Sequence, residues 1–409
     1  MSAYISRTIE DKFLRMSGFF KAVLITGARQ VGKTTMLTHL AKGQNRTMVS
    51  LDNDDVRGLA QNDPKLFFQR YKPPILIDEV QKAPQLFNQI KIICDSREDK
   101  GLFWLTGSQK YSMMKNVGES LAGRIGILEL FGFSRSELCG YKFAEPLKFD
   151  MDSLLARERL TDRADMIGVF DYIWQGGMPQ VQNAGAEERQ VYFNSYVNTY
   201  ILRDVLEIGR VADSIKFKRF LTACAAETAQ QLNLSRLAQI AEISQPTASA
   251  WLKLLESLNI VYLLQPYANN RLKRLSKTPK LYFMDTGLCA FLTKWPTRET
   301  LMDGAANGAF FETFAVTELL KGYAYSAVYP EIGYYRDGNS KEIDLFIQMG
   351  QAIHPLEIKL SANPDKREVK KFDALEKSGL TRGNGGIVCL CETTLPINRL
   401  DCMIPARLL

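Results

Sequence analysis

Histidine is nearly missing from this 409-residue sequence, which has only His39 and His354. The seven cysteines do not make up for it: none is spaced CxxC, and Cys389 and Cys391 are one residue apart. A zinc centre of the His/Cys type is therefore excluded, and the odd, scattered thiols read as reduced. No apolar run reaches 18 residues, and residues 1–16 carry Arg, Glu, Asp and Lys without an apolar core. That excludes a membrane-spanning helix and a secretion signal, so the expectation is a soluble cytoplasmic protein. There is no internal repeat and no low-complexity linker. Charge of one sign is not in large excess either. The 52 basic residues against 45 acidic give a net +7, which permits a polyanionic partner without demanding one. What remains is 46% hydrophobic and 24% charged, the composition of a globular chain long enough for two or three domains.

The first third alternates strand and helix signals. Ala22–Thr26, Thr47–Leu51, Pro74–Asp78 and Leu102–Thr106 are short apolar runs. Helical stretches at Lys33–Lys42 and Leu86–Asp95 separate them. This is the pattern of a parallel sheet covered on both faces. Beyond Leu138 longer helical segments take over, the clearest being Glu187–Val211, followed by two helices within Leu234–Leu258. Apolar segments Ile260–Leu264 and Leu281–Met284 come next. From about Thr300 strand signals return among helices, at Tyr334–Tyr335, Ile343–Ile347, Ile353–Ile358 and Ile387–Cys391. The expected modules are 1–138, 139–230, 231–298 and 299–409.

Gly27, Ala28, Arg29, Gln30, Val31, Gly32, Lys33 and Thr34 match GxxxxGK[ST] between a predicted strand and a predicted helix. Glycines let backbone N–H groups turn inward around phosphates, and the helix N-terminus adds its partial positive charge. Lys33 would reach the β- and γ-phosphates and Thr34 would hold Mg²⁺, with Thr35 next in the loop. Asp78 ends an apolar strand 45 residues after Lys33, where it can hold the Mg²⁺ shell. The adjacent Glu79 is placed to deprotonate the attacking water. Gly107-Ser108-Gln109 closes the next strand, and Ser108 could supply a polar group to the γ-phosphate. Three strand ends together build an ATP-hydrolysing site.

Arg29-Gln-Val-Gly-Lys-Thr-Thr35, Ile77-Asp-Glu-Val-Gln81, Leu105-Thr-Gly-Ser108 and Glu119-Ser-Leu-Ala-Gly-Arg124 resemble a large group of prokaryotic AAA-type ATPases. Gly176-Gly-Met-Pro179, Tyr200-Ile-Leu-Arg-Asp204 and Lys280-Leu-Tyr-Phe-Met-Asp-Thr-Gly287 fit the same group. The resemblance implies a P-loop ATPase core, a winged-helix module and a C-terminal domain like restriction endonucleases. It also implies an oligomer, with Arg124 contacting the γ-phosphate from its own or a neighbouring subunit. Arg203 and Arg210 are alternatives for that role.

In the middle module, Leu234–Ala241, the turn Glu242–Ser244 and Gln245–Leu258 give helix, turn and helix. Ser244 is a good N-cap and Pro246 sits in the first turn. Two apolar strands follow, which is the order of a winged helix-turn-helix. Gln245, Thr247, Ser249 and Lys253 could enter a major groove, although no arginine is present for base readout. From Ser257 to Met284 there is no acidic residue. Arg271, Lys273, Arg274, Lys277 and Lys280 could there neutralise DNA phosphates. The bland alternative is a solvated hairpin, or a module that packs on the ATPase core and reports nucleotide state.

Asp344, then Glu357-Ile-Lys359, place an acid and an ExK pair on neighbouring strand candidates 13 residues apart. Alternation puts Glu357 and Lys359 on one face. Two carboxylates there can hold a second Mg²⁺ while Lys359 stabilises phosphorane charge. Glu312, on the predicted helix Ala309–Leu320, is a third carboxylate. The set resembles the PD-(D/E)xK nuclease core, and the alternative is that these residues only hold the fold. His354 precedes Pro355 with no partner histidine and reads as structural. The expectation is an α/β ATPase acting on DNA, as an oligomeric ring on branched or damaged DNA. Two rivals stand beside it: a nucleotide-controlled switch with a protein partner, and an ATP-regulated Mg²⁺-dependent nuclease.

Overall fold

The computed structural model describes residues 4–108, 121–143, 145–162, 166–202, 205, 213–267, 278–337 and 341–409. Gln109, Glu119, Arg203, Arg210, Arg271, Lys273, Arg274 and Lys277 lie outside the described residues. The chain divides into two compact units, Met1–Gly132 with Ser257–Asn259, and Phe133–Glu256 with Ile260–Leu409. No helix among the described residues is long and apolar enough to cross a membrane.

The first unit is built on five parallel strands: β1 (Ala22–Thr26), β2 (Thr47–Ser50), β3 (Ile75–Asp78), β4 (Phe103–Thr106) and β5 (Ile125–Glu129). Their order across the sheet is β2-β3-β4-β1-β5. The central strands β1 and β4 are buried throughout. This explains why they read as unbroken apolar runs: both faces of a parallel sheet are covered. On one face lies α1 (Glu10–Phe19), whose Phe13 meets Trp104 edge-on at 4.8 Å. The other face packs Leu24, Ile77 and Phe103 against Phe67, Phe87 and Ile90 of the helices Pro64–Arg70 and Leu86–Ser96. Strand β5 has no matching signal in the sequence reading. Its Ile-Gly-Ile-Leu-Glu run is short, glycine-interrupted and only partly buried, because it forms the sheet edge.

In the second unit the helix predicted over Glu187–Val211 begins as an α-helix at Ala186–Ser195 and then changes to π geometry at Tyr196–Ile201. The cause is local. Asn198 Nδ2 and Thr199 Oγ1 bond the carbonyls of Asn194 and Ser195 at 2.8 and 2.7 Å, competing for the acceptors that continue an α-helix. Next come the helices Ser214–Ala226, Leu234–Ile240 and Gln245–Ser257, with strands β6 (Gln230–Gln231), β7 (Val261–Leu264) and β8 (Lys280–Phe283). The three strands form a sheet in the order β6-β8-β7. Ser244 accepts from Thr247 N–H at 3.2 Å and so starts the last of those helices.

The motif pair around Gly176 and Gly287 is explained by packing within this unit. Gly176 adopts φ +81°, and a Cβ on Gly287 would lie 2.3 Å from the Gln175 carbonyl, so the two segments touch backbone to backbone. Asp285 locks the contact by accepting from Gly177 N–H and Leu288 N–H, each at 2.8 Å. The latter bond caps the helix Thr286–Leu292.

The chain ends in a 19-residue helix, Asn307–Tyr325, and a seven-stranded sheet. Its strands are β9 (Glu331–Arg336), β10 (Glu342–Met349), β11 (Ala352–Ile358), β12 (Thr381–Arg382), β13 (Gly385–Cys389), β14 (Leu395–Pro396) and β15 (Asp401–Pro405). The order is β14-β15-β13-β11-β10-β9, with β12 also beside β11. Strands β9, β10 and β11 are antiparallel neighbours, while β11, β13 and β15 run parallel. His354 is a packing residue: its Nδ1 lies 2.8 Å from the Asn384 carbonyl and burial lowers its pKa.

Candidate functional site

The loop after β1 turns at two glycines that no other residue replaces without strain. Gly27 has φ +145° and a Cβ there would fall 2.1 Å from the Leu130 carbonyl oxygen; Gly32 has φ +94°. Directly after Gly32, α2 (Lys33–Leu40) begins, so its first N–H groups open into the loop. Lys33 is buried and its Nζ donates to the Gly27 and Ala28 carbonyls at 3.1 and 2.7 Å. The loop thus holds its ammonium in the cradle. Ala28 and Val31 are buried beneath the loop, Arg29 is half-buried, and Gln30, Thr34 and Thr35 face solvent.

At the end of β3, Asp78 Oδ1 accepts from Thr34 Oγ1 at 2.6 Å and from Thr106 Oγ1. Thr106 in turn accepts from Glu79 N–H at 3.0 Å. Glu79 sits in the left-handed region at φ +56°, which swings its carboxylate away from the strand direction. There Gln81 Nε2 donates to Glu79 Oε2, and Ser108 Oγ lies 3.4 Å from the same oxygen. Gln81 Nε2 also reaches Ser108 Oγ at 3.3 Å. The structure therefore brings Lys33, Thr34, Asp78, Glu79 and Ser108 to one end of the sheet. The donor set suits Mg²⁺: a hydroxyl and a carboxylate, both hard oxygens, stand side by side at the open end of the cradle.

Three residues of this site have no role assigned in the sequence reading. Thr106 and Gln81 lie within the motifs around Ser108 and Glu79, so the signal was there. Arg7 has none. Its guanidinium, buried beneath the loop, donates to the Val31 carbonyl at 2.9 Å and the Phe131 carbonyl at 2.6 Å. It braces the cradle from 24 residues away.

Arg124 requires a correction. It precedes β5, whose Ile125 pairs in register with Ala22 at the start of β1. It therefore lies at the opposite end of the sheet from the phosphate loop, and within one subunit it cannot reach a γ-phosphate. Its side chain instead makes a double ion pair with Asp95, at 2.5 and 3.1 Å. The guanidinium holds that carboxyl below the usual carboxylate range.

Lys280 requires another. Expected among the DNA-binding cations, it is buried and its Nζ points into the C-terminal acidic cluster. It lies 2.7 Å from Glu342, 3.1 Å from Glu312 and 3.9 Å from Asp344. Tyr282 OH donates to the same Glu312 at 2.7 Å. Glu312 does join the cluster, but as a partner of Lys280 and Tyr282. Asp344 Oδ2 accepts from Ile358 N–H at 2.9 Å, and Glu357 Oε1 takes both Lys359 at 2.7 Å and Lys371 at 2.6 Å. Burial, then the facing charge of Asp344, push the Glu357 carboxyl up to about 8, against the pull of the lysines. Among the described residues no three His, Cys, Asp or Glu side chains are arranged to hold a metal ion. In the middle module Gln245 and Lys253 are exposed, while Thr247 and Ser249 are half-buried.

Comparison with known proteins places three family models on the chain. An AAA domain matches residues 19–139, and two domains of unknown function, DUF8612 and DUF4143, match 167–299 and 307–409. Uncharacterized proteins of Mycobacterium tuberculosis and Mycobacterium bovis are each 28% identical over 345 residues, covering 84% of this chain and 71% of theirs. Among solved structures, a Walker-type ATPase of Pyrococcus abyssi is similar at TM-score 0.45 and 13% identity. That match covers 71% of this chain and 96% of the other. The RuvB Holliday junction branch migration motor of Thermotoga maritima follows at TM-score 0.32 and 17% identity, over 63% and 89%. Residues 19–139, which hold the phosphate loop and the ends of β3 and β4, are thus similar to an AAA domain.

Proposed function

We propose that this protein hydrolyses ATP at the cradle between β1 and α2 and couples the reaction to DNA as an oligomer. The observation that carries the ATPase part is the convergence of Lys33, Thr34, Asp78, Glu79 and Ser108 around one loop. Backbone N–H groups of 28–34 bind the triphosphate and Lys33 neutralises its β- and γ-oxygens. Thr34 and Asp78 would hold Mg²⁺, and the ion would withdraw charge from the phosphates. Glu79 takes a proton from the attacking water as that water's oxygen bonds to the γ-phosphorus. The bond from phosphorus to the β–γ bridging oxygen breaks, and ADP leaves with the electron pair. Ser108 is poised to donate to the γ-phosphoryl oxygens.

Arg124 acts across a subunit boundary in this reading, since its place at the far end of the sheet suits a neighbour's nucleotide. An arginine so supplied adds about 10³–10⁵ to phosphoryl-transfer rates. DNA as the coupled partner is supported by the order helix, turn and helix over 234–257 followed by β7 and β8, with β6 just before them in the same sheet, an order that suits a winged helix. Its Gln245 and Lys253 face solvent. The nuclease reading of the C-terminal domain loses ground, because its carboxylates already have lysine partners.

The test is ATP hydrolysis without DNA and with single-stranded, duplex and four-way-junction DNA, with Glu79→Gln as the blank. Loss of a general base should lower the rate by about 10²–10⁴. Stimulation by one DNA form supports the motor. A slow rate, indifferent to DNA, favours the signalling switch with a protein partner.

A further inference from the structure

We propose that Lys280 is the resident cation of the C-terminal acidic centre, so that Glu312, Glu342 and Asp344 are neutralised by the chain itself and leave no place for a divalent ion. Four carboxylates gather there: Glu312, Glu342, Asp344 and Glu357. Buried carboxylates need cations or protons, because the interior cannot solvate them. Lys280 enters from β8, a strand of the preceding three-stranded sheet, and its side chain is 5% exposed. Its ammonium contacts Glu342 at 2.7 Å and Glu312 at 3.1 Å, and Asp344 stands 3.9 Å away. One cation thus faces oxygens from the helix Asn307–Tyr325 and from β10, a spread that a metal ion would otherwise bridge.

The other side of the centre is supplied as well. Lys359 and Lys371 share Glu357 Oε1, and Arg336 lies 3.6 Å from Glu342 Oε2. A magnesium ion demands close, near-octahedral oxygen ligands and gives up water reluctantly. It would have to displace an ammonium that is already held by short ion pairs. The aromatic ring of Tyr334, 5.6 Å from Lys280 Nζ, and the Tyr282 hydroxyl on Glu312 complete the enclosure. The centre links two segments of the second unit: Lys280 occupies the side of Glu312, Glu342 and Asp344, while Glu357 Oε2 is buried without a hydrogen-bond partner.

The experiment is Mn²⁺ binding by electron paramagnetic resonance on the full chain without nucleotide, so failure of the ATPase reading leaves it unaffected. The wild type should show no Mn²⁺ that Asp344→Asn removes. Lys280→Met should raise Mn²⁺ affinity at least tenfold, and adding Asp344→Asn should abolish the gain. Thermal unfolding gives a second, independent reading: Lys280→Met should lower Tm, and Lys280→Met with Glu312→Gln should recover part of that loss. Mn²⁺ bound by the wild type through Asp344 would overturn the proposal. So would a folded Lys280→Met chain with unchanged affinity, or equal Tm losses in the single and double variants.

Discussion

Gln81 is the side chain on which the geometry of Glu79 depends most, since its amide bridges Glu79 and Ser108. Replacing it by alanine leaves the carboxylate free to rotate. We expect Gln81→Ala to lower kcat by about tenfold, as modest misplacement of a catalytic group does, with KM little changed. Steady-state kinetics checks this, and an unchanged kcat would remove Gln81 from the machinery. A second expectation at this scale concerns pH. Glu357 has an ordinary value of 4.5 and a folded value of about 8. Between those values the folded chain keeps a proton that the unfolded chain has lost, so stability falls as pH rises through the window. Melting curves at several pH values should show that decline in the wild type and a flatter profile in Glu357→Gln. Lys33, Thr34, Asp78 and Glu79 were readable because each ends an apolar strand or opens a helix within a short motif. Arg7 was not, because its partners at Val31 and Phe131 are set by folding alone.

At the scale of elements, the parallel strands were legible where both faces are covered, as in β1 and β4, and at the edge strand β2, but not at the other edge, the glycine-interrupted β5. Strand β15, which lies between β14 and β13, was missed for another reason. It is wholly buried beside β13, yet Asp401 and Pro405 at its ends break the apolar run. Asp401 is tolerated there by its ion pair with Arg382 at 2.5 Å. The stretch Ala186–Ile201 was legible as a helix but not as one that changes hydrogen-bond spacing, since side-chain competition at Asn198 and Thr199 is invisible to periodicity. One close element contact is that of Gly176 with Gly287. Gly287→Ala would drive a methyl group into the Gln175 carbonyl, and Asp285→Ala would strand two N–H donors. Each should cost about 2–4 kcal/mol, read as a lower denaturant midpoint with an unchanged slope. A cost below about 0.5 kcal/mol would mean the two segments separate easily.

For the whole molecule the decisive question is whether one subunit completes another. Mixing Arg124→Ala with Lys33→Ala answers it. Each alone should be slow, the first for want of a neighbour's cation and the second for want of its own phosphate contact. Mixed, a Lys33→Ala subunit still offers Arg124 to the intact cradle of its neighbour, and part of the rate should return. Two inactive variants that stay inactive together would confine Arg124 to its ion pair with Asp95. Of the wider organisation, the alternation of strand and helix in residues 1–138 could be read directly. The joining of the later segments into one compact unit could not, because it rests on contacts between residues tens of positions apart, such as Lys280 with Glu312.

That pairing has a practical side. The family model for the last domain begins at residue 307, a natural place to cut when a C-terminal fragment is wanted. Such a fragment would keep Glu312, Glu342 and Asp344 and leave behind the lysine that faces all three. Sequence families mark where ancestry can be recognised, whereas charge balance marks where a polypeptide can be divided. Here the second boundary lies upstream of the first by at least the distance from Asn307 back to Lys280.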